Sequence, residues 1–163
     1  MGDLLIRATA ILAVAGFAGR MLIDAAGLRS GRWQRLARAI WSMGCATLLI
    51  HVICAFQFQH GWSHAAAWEH TRQRTRELTG WNSGAGIYAN ELMAMTWLID
   101  VVGWWASLEW PRRHRTWYWF VQTLFVFMMV NATAVFGPRY WILVAGAWAF
   151  AVIACCLYVR GQT

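Results

Sequence analysis

Apolar residues run along this chain in five long blocks separated by polar stretches. A spanning helix needs about 20 mostly apolar residues. Segments 4–27, 36–58, 85–108, 116–136 and 140–159 meet that requirement. The first is interrupted by Arg7, Arg20 and Asp24. The last two are separated by Gly137-Pro138-Arg139, where glycine stops a helix and proline cannot continue one. The long polar connection 59–84 holds a pattern of its own. Segment 63–79 predicts a short helix, with three successive alanines and with Glu69/Arg72 and Arg74/Glu77 spaced for pairing. Gly80 is a natural stop, and Trp68 and Leu78 let the helix lie against the membrane or the bundle. The expected fold is all-α: one membrane domain over 1–163, with five transmembrane helices and a short exterior amphipathic helix.

Composition agrees with this pattern. Sixty per cent of the 163 residues are apolar and 13% are charged. That balance excludes a soluble polar domain or a disordered tail. All basic residues are arginine, and the net charge of +7 would suggest nucleic acid in a soluble chain. Here the arginines sit between apolar blocks, so they report topology and no nucleic-acid partner is expected. Arg29, Arg32, Arg35, Arg38, Arg112, Arg113, Arg115 and Arg160 fall on one side; Arg72, Arg74, Arg76 and Arg139 fall on the other. The richer side is expected to be cytoplasmic, in a bacterial inner membrane. The N-terminus and the connection 59–84 then face outward, and the C-terminus faces the cytoplasm. The first block is read as a retained span, because its leader is nearly neutral and Arg20 and Asp24 interrupt a cleavage-site pattern. Most of the 13 tryptophans read as interfacial belts, with Trp33, Trp41, Trp104, Trp105, Trp110, Trp117 and Trp119 near the inner ends and Trp62, Trp81 and Trp141 near the outer ends. Cys45, Cys54, Cys155 and Cys156 lie in apolar blocks without C-x-x-C spacing, so no disulfide framework is expected.

Ionisable groups inside a span are costly, and each is a candidate for function. Arg20, Asp24 and Asp100 form an inner trio, readable as a buried ion pair or a proton relay. His51, His60, His64, His70 and Glu91 gather toward the outer side. His60 and His64 are four apart, so a continuous helix would put both on one face, a spacing that can chelate a transition metal. Glu91 and His70 could add ligands. His51 is a candidate axial ligand for b-type haem, with Gly44, Thr47 and Ala55 leaving room for the macrocycle and Met93 as a possible partner. The competing reading of His51 is a polar packing pair with Glu91. No P-loop, G-x-G-x-x-G or G-x-S-x-G pattern is present. Enzymatic activity of the isolated chain is therefore not expected.

His60-Gly61-Trp62-Ser63-His64, then Thr71, Thr75, Gly84, Gly86, Tyr88 and Asn90, then Trp97 and Asp100, resemble a pattern in small integral membrane proteins of bacteria, planctomycetes especially. The resemblance covers about a quarter of the chain. It implies a membrane location and brings no known activity.

These observations leave three functional expectations. The first is a redox or metal-handling subunit, with a transition metal or haem b on the outer cluster. The second is a cofactor-free accessory or assembly subunit, alone as a homodimer or within a larger membrane complex. The third is a small transporter using Glu91 and Asp100 as proton sites.

Overall fold

The computed structural model describes residues 1–135, 137–138 and 140–161. Among them every regular element is helical. Helices α1 (Gly2–Ala25) and α2 (Gly31–Ala55) form an antiparallel hairpin, and a π-helical turn, Phe56–His60, extends α2. Then follow α3 (His64–Thr79), α4 (Gly86–Ala106), the single turn α5 (Trp110–Arg113), α6 (Arg115–Val130) with a π-helical turn at Asn131–Val135, and α7 (Tyr140–Arg160). The expected hairpin turn includes Arg139, and the fourth block includes Phe136; both lie outside the described residues.

Of the five expected spans, three helices are long and apolar enough to cross a membrane: α1, α2 with its π extension, and α7. The other two differ for identifiable reasons. Helix α6 proper has only 16 residues before the backbone changes pitch. Helix α4 carries Asn90, Glu91, Asp100 and three tryptophans, all of which lower its hydropathy.

Two glycines set the α1–α2 crossing. A Cβ on Gly16 would lie 2.6 Å from Gly44 Cα, and a Cβ on Gly44 would lie 2.7 Å from the Trp97 ring. The helices therefore touch backbone to backbone, and α4 closes over the contact with an indole. Small residues allow such approach where packing, not water exclusion, must hold helices together.

The core is aromatic. Trp41, Trp97, Phe17 and Phe125 bring one ring each from α2, α4, α1 and α6, with neighbouring centroids 4.6–6.3 Å apart. Trp41 and Trp97 are fully buried and Trp104 is nearly so. The exposed Trp62, Trp81, Trp105 and Trp119 are compatible with the belt reading, whereas Trp41 and Trp104 are buried. By contrast α7 buries no residue. It leans on α1 beside an apolar crevice of about 370 Å³ lined by Phe17, Val126, Met129, Val144 and Trp148, among others.

The expected helix over 63–79 forms as α3, one residue shorter at its start. The Ser63 side chain accepts the Ala66 backbone N–H as N-cap, and Gly80 ends the helix at φ 79°. Both expected ion pairs form, Glu69 with Arg72 and Arg74 with Glu77. Trp68 packs against Gly84, where no Cβ would fit, and this seats α3 on the approach to α4.

Candidate functional site

The polar residues gather at two ends of the bundle. One end carries the arginine-rich connections, with His114 among them; the other carries the remaining four of the five histidines.

At the arginine end, α1 places Arg20 and Asp24 one turn apart, and α4 brings Asp100 opposite them. Arg20 is 1% exposed and Asp100 2%. The Arg20 guanidinium lies 3.4 Å from Asp24 and 3.5 Å from Asp100. At those separations Nε and Nη1 make ion pairs without well-formed hydrogen bonds. The cation is held by ring faces as well: its Cζ sits 4.4 Å from the Trp41 ring centre, 4.7 Å from Trp104 and 5.3 Å from Tyr118. Desolvated cation–π contacts strengthen in this setting.

Asp100 is the hub of this end. Trp41 donates its indole N–H to one carboxylate oxygen at 2.9 Å. Trp110 and Trp117 donate to the other at 3.0 and 2.9 Å. An ionised carboxylate offers about four lone-pair sites; three indoles fill three of them, and the Arg20 guanidinium adds its charge at 3.5 Å. Tyr118 donates its hydroxyl to Asp24 at 3.1 Å. Helices α1, α2, α4, α5 and α6 are thus tied through one buried acid. The expected trio of Arg20, Asp24 and Asp100 is brought together. The sequence reading missed the three indole donors and Tyr118. No local spacing joins Trp41, Trp110 and Trp117 to Asp100, because they come from three other elements.

Close to this network, Gln122 is buried with neither amide atom partnered among the described residues, and the Trp97 and Trp104 indole N–H groups are likewise unpaired. An unmade buried hydrogen bond costs about 1–3 kcal/mol.

At the histidine end the expected single cluster divides. His60 closes the π turn of α2. Gly61 and Trp62 then adopt left-handed backbone, at φ 54° and 61°, and Ser63 starts a new helix. His60 and His64 are therefore not neighbours on one helical face, which corrects the chelate expected from their spacing. His60 faces His70 instead, with ring centroids 5.2 Å apart and planes inclined 54°. His64 faces Glu91 at 2.8 Å, with both side chains about half exposed, and its ring lies 5.9 Å from Tyr88. Among the described residues no group of three or more His, Cys, Asp or Glu is placed to hold one metal ion.

His51 belongs to neither pair. Its Nδ1 lies 2.9 Å from the Ile6 carbonyl of α1, which can only accept, so the ring proton sits on Nδ1. The Thr9 hydroxyl, which donates to the Leu5 carbonyl at 2.7 Å, is 3.4 Å away. His51 thus joins α1 to α2 and does not pair with Glu91. The space expected at Gly44 for a macrocycle is filled by Gly16 and the Trp97 ring.

Outside the spans, Glu69 is held by Arg72 and Gln73, whose hydrogen bonds pull its carboxyl down to about 2. The same pairing raises the Arg72 guanidinium above its ordinary value.

Comparison with protein-family models, with curated proteins and with solved structures gives no match.

Proposed function

We propose that the chain is an accessory or assembly subunit of a membrane complex. In this reading five helices cross the bilayer, α4 and α6 being sheltered spans, with the N-terminus outside and the C-terminus cytoplasmic. The bundle is a rigid holder, and α3 with its flanking turns is what it presents.

The observation that supports this most is the consumption of the interior charges. Asp100 is occupied by three indoles and Arg20, and it is nearly inaccessible. A proton carrier must exchange with water, so this arrangement favours a structural role over the transport reading. Helix α3, in contrast, buries only Ala67 and displays Gln73, Arg74, Arg76 and Glu77 to solvent.

Site-specific photocrosslinking in native membranes tests the proposal. A crosslinker at Arg76 should give one discrete protein adduct, reduced by charge reversal at Arg74 and Glu77. A crosslinker at Leu143 on the exposed face of α7 should give lipid adducts. Lipid or no adducts from every α3 position would contradict the reading. A cysteine placed at Ser63 should label from outside in intact cells; labelling only after lysis would reverse the orientation.

A further inference from the structure

The division of the histidine end leaves one pair whose geometry has no structural task. His60 and His70 come from different elements, joined across the tight Gly61–Ser63 turn. Phe56 packs against the His60 ring edge-on at 5.7 Å, which fixes that ring. His70 stands on the exposed face of α3. Among the described residues neither ring has a carboxylate or carbonyl hydrogen-bond partner, unlike His64 and His51.

The ring separation leaves room for one shared ion. With metal–nitrogen bonds of about 2.0–2.1 Å, the ion lies roughly 3.2 Å from each imidazole centre. At a tetrahedral angle two such centres are then roughly 5.2 Å apart, whereas a right angle would bring them to roughly 4.5 Å. The observed separation is 5.2 Å.

We propose that His60 and His70 chelate a divalent metal of tetrahedral preference, Zn²⁺ foremost, with water completing the coordination. Two neutral imidazoles supply the nitrogen ligands, and the open positions face solvent. The ion would clasp α3 to the π-helical end of α2 and set the pose of the outward helix. This inference stands on the His60–His70 geometry and does not depend on the assembly reading.

The test is Zn²⁺ titration of the detergent-purified full chain, read by competition with a chromophoric chelator and by thermal melting. The expected result is one Zn²⁺ per chain and a raised Tm. His60→Ala and His70→Ala should each weaken binding at least tenfold and abolish the Tm rise. His70→Gln, at an exposed position that leaves the fold intact, should do the same. His64→Ala and Glu91→Gln should bind as the parent does. Co²⁺ in place of Zn²⁺ should give the visible absorption of a tetrahedral site. The proposal is overturned if the parent takes up no Zn²⁺ at millimolar concentration, if binding survives His70→Gln, or if His64→Ala removes it equally.

Discussion

The two ends of the bundle use ionisable groups in opposite ways. At the arginine end one acid and one cation are sealed among aromatic rings, and Asp100 is held by three hydrogen bonds and an ion pair. At the histidine end the same kinds of group meet in half-exposed pairs, two at a time. Burial explains the contrast. A charge in a low-dielectric interior must be compensated from several directions, so it organises the elements around it. A charge in reach of water needs no partner and is free to meet a ligand or another protein.

The largest test of this contrast removes the hub. Asp100→Leu leaves Arg20 with Asp24 as its one remaining acid and three indole N–H groups unpaired, so it should cost about 3–5 kcal/mol, measured by SDS-titrated unfolding. Unchanged stability would mean that the network is decoration. Next in size is the helix crossing. Gly44→Val pushes against Gly16 and Trp97 at once and should cost about 1–3 kcal/mol in the same assay, whereas Gly146→Val, which meets nothing, should be near neutral. Gln122→Met should go the other way. It removes two unpaired amide atoms and should stabilise by about 1 kcal/mol; a loss of stability would place a partner at Gln122.

At the other end the effects shrink. His64→Ala breaks an exposed pair and should change stability by less than about 1 kcal/mol. Acid should loosen α3. The Glu69 carboxyl is held down to about 2 by Arg72 and Gln73, a depressed value, so its contribution is present above the ordinary carboxylate range near 4.5 and fades as pH falls through about 2. Hydrogen exchange should show α3 loosening over that window while α1 and α2 stay protected. Simultaneous loss of both would contradict independent ends.

Much of this layout is legible in the residues. The apolar blocks predict the long helices to within a few residues, because spanning length and hydropathy are properties of the chain alone. Ser63, Gly80 and the Glu69–Arg72 spacing predict α3, because capping and pairing are local. Arg20, Asp24 and Asp100 are rare in apolar blocks, and their charges find one another. What pattern reading misses is azimuth and register. Depth along the membrane made Trp41, Trp110 and Trp117 look interfacial, but only the packed helices show that their N–H groups converge on Asp100. The Gly16–Gly44 contact depends on the crossing point of two helices. The His60–His64 spacing assumed a continuous helix, which Gly61 and the left-handed Trp62 interrupt.

The central claim is that Arg20 and Asp100 act as one unit holding the bundle. A double-mutant cycle with Arg20→Met and Asp100→Leu, followed by SDS-titrated unfolding, tests it most directly. Each single change should destabilise strongly, and the double variant should recover part of the loss, giving a coupling of about 1–3 kcal/mol. Additive losses would contradict the account.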